Sequence, residues 1–359
     1  MEWGIKMHID EILNKAVNSN TSDIFIVAGT SISFKINGII EKIDDNILKP
    51  QDTRNLIEEI YELNVNRKNK QLIEIGEDDF SFSLAGIARF RCNVFYQRGS
   101  LSAVLRIVRY ELPDYKELKI PEKVISFSNL KKGLVLVTGS AGSGKSTSLA
   151  CIINEINNNY NKHIITIEDP IEYLHRHKKS IVSQREIEHD TLSYSKALRA
   201  ALREAPDVIL LGEMRDLETI QIAMSAAETG HLVLSTLHTL GAADSINRII
   251  DVFPANQQEQ IRVQLSMTLQ AIVSQQLIPG IDNNMHPAFE IMVVNNAIRT
   301  QIRDGKTHLI DNYIRNSKNQ GMITMDDSIY DLYTKKLISE DNAINYATND
   351  ETMRNRIGK

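Results

Sequence analysis

The sequence predicts an α/β protein: a mostly parallel sheet with helices on both faces, preceded by a small α+β unit and followed by a mainly helical segment. Three observations carry this expectation. From Lys132 onward, short continuous apolar runs alternate with stretches of helical periodicity, the pattern of a parallel sheet covered on both sides. Before it, short strand-like segments are broken by turn signals and joined to amphipathic helices. After Pro279 the chain shows helical spacing almost throughout. The expected divisions of the 359 residues are an α+β domain at 1–109, a linker at 110–131, the α/β core at 132–280 and a helical segment at 281–359.

The elements follow in order. Ile9, Ile12, Leu13, Ala16 and Val17 recur at helical spacing, so His8–Val17 is expected to be a helix. Asp23–Val27 and Ser31–Ile36 are strand-like, and Asn37-Gly38 is a turn pair leading into Ile39–Ile43. Helices are expected at Gln51–Leu63 and Asn64–Ile75, then strands at Asp79–Leu84, Ala88–Tyr96 and Ser102–Arg109. Pro113 and Pro121 bound a linker. In the core, Leu134–Thr138, His163–Ile167, Asp207–Leu211 and Leu232–Ser235 are buried-strand runs. Ser193–Glu204 and Asp216–Glu228 are helices, the second stopped by Gly230. The final helices are expected at Asn295–Arg303, Lys306–Ser317, Thr324–Thr334 and Ser339–Tyr346.

Composition narrows the function classes. The net charge of -5 gives no basic field, so direct nucleic-acid binding has no compositional support. Cys92 and Cys151 are too few for a disulfide framework or a four-thiolate zinc site and are expected to be reduced and buried. No apolar run approaches membrane-spanning length, and Met1–Asp10 mixes charged with apolar residues, which leads to the expectation of a cytoplasmic protein.

The chemistry is concentrated in four blocks. The strand Leu134–Thr138 runs into Gly139, Ser140, Ala141, Gly142, Ser143, Gly144, Lys145 and Ser146, with a helix opening at Lys145 to Thr147. This is the strand–loop–helix setting of a P-loop. Glycines let backbone N–H groups turn inward around a phosphate, and the helix N-terminus adds its dipole. Lys145 is placed to bridge the β- and γ-phosphates of ATP, and the Ser146 hydroxyl to hold Mg²⁺. The strand ending Leu211-Gly212-Glu213 delivers a carboxylate of the kind that faces that metal or the attacking water; the alternative is a Glu that merely begins the next helix beside Arg215. Glu168, Asp169 and Glu172 cluster after a third strand, where one could orient a water and the others serve as turn or cap residues. His231 and His238 sit at the two ends of one strand, as γ-phosphate sensors or as structural histidines; no third ligand at suitable spacing supports a metal pair.

Taken together, these blocks resemble the hexameric secretion and pilus ATPases, and within them the type IV pilus retraction motors. The likeness rests on GSAGSGKSTS, ITIEDPIEY, the run from SQREIEHD to LVLSTLHT, AADSINRIIDVFP and SMTLQAIVSQQL, and is dense from about Gly133 to Leu277. The resemblance implies a PAS-like amino-terminal domain and a RecA-like P-loop core. It makes Glu172 the functional acid of the aspartate box, Glu213 the acid of the Walker B strand, and His231 and His238 the histidine box. It also implies that arginines of the amino-terminal unit reach the nucleotide; Arg91 and Arg106 are the candidates, followed by Arg89 and Arg98.

The family's activity implies a homohexameric ATPase with ATP and Mg²⁺, docked through a platform protein at the inner face of the membrane and driving pilus retraction. A regulatory paralogue with little hydrolysis and a pilus extension ATPase are the alternatives, although extension motors usually carry a four-cysteine zinc element. Two departures stand out. DIFIVAGTSIS replaces a segment close to DLHLSAGLPP, and the helix usually close to AIRNLIRE reads Ala297-Ile-Arg299-Thr-Gln-Ile-Arg303-Asp304, keeping both arginines.

Overall fold

A computed structural model describes residues 8–19, 21–36, 38–63, 70–84, 87–108, 112 and 114–358. Asn37 of the expected turn, the first part of the expected helix Asn64–Ile75, Arg109, and Tyr110, Glu111 and Pro113 of the expected linker lie outside these residues. The chain divides into two units, Met1–Glu111 and Leu112–Lys359.

The first unit contains α1 (Ile9–Asn18), β1 (Asp23–Ile26), β2 (Ser33–Ile36), β3 (Ile39–Lys42), α2 (Pro50–Leu63), α3 (Lys70–Ile75), β4 (Glu77–Leu84), β5 (Ala88–Gln97) and β6 (Ser100–Val108). The strands form one antiparallel sheet in the order β3-β2-β1-β6-β5-β4. Alternation along β5 sends Ala88, Phe90, Cys92 and Val94 inward, where they meet Ile12, Leu13, Leu56 and Ile60 from α1 and α2. Cys92 is a free, buried thiol, and burial pushes its ionisation well above the ordinary range.

The second unit begins with α4 (Glu122–Ile125) and continues through β7 (Gly133–Thr138), α5 (Lys145–Asn159), β8 (His163–Glu168), β9 (Ile181–Glu186), α6 (Tyr194–Ala201), β10 (Val208–Leu211), α7 (Leu217–Glu228), β11 (Leu232–Leu237), α8 (Ala242–Asp251), α9 (Ala255–Thr268), β12 (Leu269–Pro279) and β13 (Met285–Val293). It ends with α10 (Asn296–Arg303), α11 (Ile310–Asn316), α12 (Met325–Thr334), α13 (Glu340–Asn345) and α14 (Asp350–Ile357). The seven strands are ordered β13-β12-β7-β11-β10-β8-β9, all parallel except β13. One apolar layer, including Leu136, Ile209, Ile246 and Leu265, lies on one side of the sheet. A second, including Val135, Val137, Ile152, Ile156 and Phe289, lies on the other.

Two sequence expectations are corrected here. The sheet does not end near Pro279: β13 adds an antiparallel edge strand inside the stretch expected to be helical. His286, Pro287 and Glu290 obscured its apolar pattern, and Pro287 is tolerated because an edge strand leaves one row of N–H groups unpaired. The second half of the expected linker is part of the second unit, since Ile120, Val124, Ile125 and Phe127 are buried in the layer that covers α5.

Candidate functional site

Parallel pairing brings the C-terminal ends of β7, β8, β10 and β11 to one edge of the sheet. Loops leaving such an edge are where a doubly wound sheet binds ligands. Here they deliver, from four separate places in the sequence, the Gly139–Ser146 loop, Glu168 to Glu172, Glu213 and His238.

The loop after β7 has the backbone a phosphate cradle needs. Gly139 and Gly144 have φ of 143° and 89°, a region that L side chains rarely adopt. A Cβ on Gly139 would collide with the Gln275 carbonyl, and one on Gly144 would lie 2.7 Å from the Gln275 amide nitrogen. α5 then opens at Lys145, whose Nζ donates to the carbonyls of Gly139 at 2.9 Å and Ser140 at 2.8 Å. Burial lowers the Lys145 pKa from its ordinary value, while Glu172 and Glu213 act to raise it.

Ala141, Gly142, Gly144, Lys145, Ser146 and Thr147 line one side of a cavity of about 490 Å³, and Glu168, Asp169, Glu172, Glu213 and His238 line the other. Gly139 and Ser140 contribute the carbonyls that hold Lys145, and the buried Ser143 closes the turn through its N–H to Ser140. Glu213 is buried and engaged at both oxygens: Arg215 Nη2 lies 2.5 Å from Oε1, and His238 Nε2 lies 3.4 Å from Oε2. Thr236 donates to the Gly212 carbonyl at 2.6 Å, fixing the strand end that carries Glu213. Glu172 is exposed to the cavity, whereas Glu168 is buried and receives a hydrogen bond from Thr166 at 2.7 Å.

Burial raises the Glu168 carboxyl from 4.5 to about 7 despite the bond from Thr166. Between those values the folded chain holds a proton that the unfolded chain has lost, so this group makes stability fall as pH rises. Glu168→Gln is expected to flatten the melting temperature against pH between about 4.5 and 7. An unchanged profile in thermal melts would show that the carboxyl is not held protonated.

The two histidines separate. His238 leaves the C-terminal end of β11 and lines the cavity. His231 precedes the N-terminal end of the same strand, roughly 20 Å along it, and its Nδ1 lies 3.0 Å from the Ala226 carbonyl at the end of α7. The structure therefore gives His231 a place in the turn between α7 and β11, not at the cavity. In the amino-terminal unit, Arg106 Nε donates to Asp23 at 2.9 Å and Arg91 is bidentate to Asp79 at 3.2 and 2.7 Å. Arg89 lies on β5, and Arg98 occupies the β5–β6 turn with φ of 48°.

The sequence reading missed Gln275, Ser148 and Tyr194. Gln275 follows Ser274 on β12, accepts from the Ser148 hydroxyl at 2.7 Å and packs beneath Gly139 and Gly144. Tyr194 opens α6 and lines the cavity, with its hydroxyl beside Gly212. The available signal was Ser274, Gln275 and Gln276 interrupting an apolar run, an interruption that reads as a loop until the strand is seen.

Residues 3–356 match the family model of type II/IV secretion system proteins. The chain is 44% identical to the type IV pilus retraction ATPase PilT of Pseudomonas aeruginosa, over 94% of this chain and 97% of that one. It is 40% identical to a twitching motility protein of Neisseria gonorrhoeae, over 98% and 97% of the two chains. A crystal structure of the pilus retraction motor PilT with bound ADP superposes with a TM-score of 0.89 and 47% identity, covering 98% of this chain and 100% of that one. With matches of this extent, the chain belongs to the type II/IV secretion system protein family.

Proposed function

We propose that this protein is an ATP-hydrolysing motor that drives type IV pilus retraction. The observation that carries the reading is the convergence of Lys145, Ser146, Glu172, Glu213 and His238 on one cavity at the C-terminal edge of a parallel sheet. Lys145 would neutralise the β- and γ-phosphates, and the inward N–H groups of the glycine loop would bind the same oxygens. A second cavity of about 450 Å³ shares Gly144, Thr147 and Leu277 with the first and offers room for the nucleoside end.

The donor set suits Mg²⁺. Ser146 and Glu213 offer hard oxygen ligands in the phosphate cavity, and Mg²⁺ is commonly held by one or two protein oxygens together with phosphates and water. When bound, the metal would neutralise charge on the phosphates. Glu172, the exposed acid, would orient the attacking water, and His238, fixed by Glu213, would respond to the γ-phosphate.

Retraction is supported by the relatives named for it and by α10. Asn295 caps that helix by accepting from the Ile298 N–H at 3.0 Å, and Ile298 and Ile302 are buried. The two arginines of α10 differ in their surroundings. Arg299 Nη1 donates to Ser266 O at 2.6 Å and Met267 O at 3.0 Å, satisfying carbonyls in the last turn of α9. Arg303 is more than half exposed and, among the described residues, pairs with the neighbouring Asp304 at 3.5 Å. Arg299→Ala is expected to cost about 1–2 kcal/mol of stability, and Arg303→Ala under about 0.5 kcal/mol. Arg303→Ala should spare ATP turnover and block retraction. Normal twitching in that variant at normal expression would remove α10 from the mechanism.

A homohexamer, a cytoplasmic location beside the membrane and docking on a platform protein complete the proposal. Among the described residues, no helix is long and apolar enough to cross a membrane, so recruitment through a partner fits the role. Arg106 and Arg91 enter as arginines supplied to a nucleotide site within the assembled ring. Mixing Arg106→Ala with Lys145→Ala chains should restore some activity, and co-assembled mixtures as inactive as either parent would count against it. The function itself is tested by deleting the gene: excess, static pili are expected, and a bald cell would favour extension instead.

A further inference from the structure

His286 is a buried polar side chain that the phosphate chemistry does not use. It lies at the start of β13, opposite Ile278 of β12, and is only 1% exposed. Its neighbours Met285 and Pro287 line the second cavity together with Leu118, Lys119 and Ile120. Alternation along the strand sends His286 to the other side of that wall. Both of its ring nitrogens are engaged: Nδ1 lies 3.1 Å from Lys119 Nζ, and Nε2 lies 2.9 Å from Asp282 Oδ1. A lysine ammonium has donors only, so Nδ1 accepts, and the ring proton on Nε2 is donated to Asp282. The ring is thus a bridge between two segments far apart in the sequence.

Each end of the bridge has a fixed support. Residues 114–120 form a compact turn, in which the N–H groups of Leu118 and Ile120 donate to the Asp114 and Tyr115 carbonyls at 3.1 and 2.9 Å. Lys119 stands in this turn with φ of 56°, a left-handed conformation that is costly for a residue with a side chain. In the loop between β12 and β13, Asp282 accepts from the Asn284 N–H and from the Asn284 side-chain amide, each at 3.1 Å. Those bonds and the one from His286 hold its carboxyl well below the usual carboxylate range. Gly280 leaves room for the ring, since a Cβ there would lie 2.5 Å from His286 Cδ2 and Nε2. Lys119 and Asp282 both line the second cavity, so the bridge ends at its wall on either side.

We propose that His286 is a positioning residue for the nucleoside end of the nucleotide: by accepting from Lys119 and donating to Asp282, it pins the turn 114–120 to the β12–β13 loop and fixes the shape of the second cavity. The inference rests on reading that cavity as part of the ATPase site. His286 does not touch the phosphates, so its loss should weaken the hold on the nucleoside in ground state and transition state alike. That raises KM and leaves kcat in place. Leucine can fill much of the space of the ring but makes neither hydrogen bond. Glutamine carries one acceptor and one donor and can restore both.

The test uses the purified full chain and measures ATP turnover, ADP affinity and competition by inorganic tripolyphosphate, which carries the phosphates without a nucleoside. His286→Leu is expected to raise KM for ATP and Kd for ADP at least about fivefold, the scale of one lost hydrogen bond. Both kcat and the inhibition constant of tripolyphosphate should stay within about twofold of the wild type. His286→Gln should recover most of the lost affinity. Lys119→Met, at an exposed position, removes one end of the bridge and carries the test if His286→Leu does not fold; its ADP affinity should fall in the same way. ADP affinity within about twofold of wild type in folded His286→Leu, or in Lys119→Met where it stands in, would overturn the proposal. So would an equal loss of tripolyphosphate binding, a fall in kcat as large as the rise in KM, or a glutamine variant as defective as the leucine one. A wild type that binds ADP but hydrolyses no ATP would instead sink the proposed function, and the ADP and tripolyphosphate affinities would still decide the role of His286.

Discussion

Lys145→Ala is expected to reduce ATP turnover by at least about a thousandfold and to weaken nucleotide binding. The reason is the charge balance of the cavity. Lys145 is the loop's own cation, and three carboxylates, Asp169, Glu172 and Glu213, line the same space, beside Glu168, whose carboxyl is raised to about 7 by burial. Arg215 is committed to Glu213 at 2.5 Å. Without the ammonium, a triphosphate would enter a site whose unpaired charge is mainly negative. A thousandfold loss corresponds to about 4 kcal/mol of transition-state stabilisation, within reach of a charged contact to the transferring phosphate. Lys145→Arg should not rescue, because the planar fork cannot occupy the narrow position between the Gly139 and Ser140 carbonyls as a point charge does. Steady-state turnover decides the matter, with a thermal melt to show that the variant is folded. Activity within tenfold of the wild type would remove Lys145 from the phosphate site.

Sequence and structure agree most closely where a local pattern has only one physical solution. Gly139 to Ser146 require left-handed glycines between a strand and a helix, and the chain supplies them in place. The buried strands β7, β8, β10 and β11 are continuous apolar runs, which parallel pairing with both faces covered demands. The strands at the other side of the sheet were less legible because they carry function or form the edge. β12 contains Ser274 and Gln275, which hold the loop after β7 and the start of α8, so its pattern is broken by residues that act on other elements. β13 contains Glu290 for the same reason. The histidine pair was divided by tertiary structure alone: both residues flank β11, and only the direction of the strand places His238 at the cavity. The role of Arg299 likewise depends on α9 ending beside it, which spacing within α10 does not reveal.

Glu172→Gln and Glu213→Gln should both slow hydrolysis, and they should differ in how Mg²⁺ alters the defect. Glu172 is exposed to the cavity, so neutralising it removes a water-orienting carboxylate without dismantling the wall. A positioned general base contributes roughly a hundredfold to ten-thousandfold, and a loss of kcat in that range with ADP affinity unchanged is the expected result. Glu213 has a second duty. Its oxygens face Arg215 and His238, so Glu213→Gln weakens an ion pair and loosens the loop after β11 as well as removing a candidate metal ligand. That variant should therefore need more Mg²⁺ to reach half-maximal rate, and part of its defect should be recovered at high Mg²⁺. Glu172→Gln should titrate with Mg²⁺ as the wild type does. The measurement is turnover against Mg²⁺ at saturating ATP for all three proteins. Superimposable titrations for the two variants would show that neither acid is specific to the metal, and the division of roles between Glu172 and Glu213 would have to be abandoned.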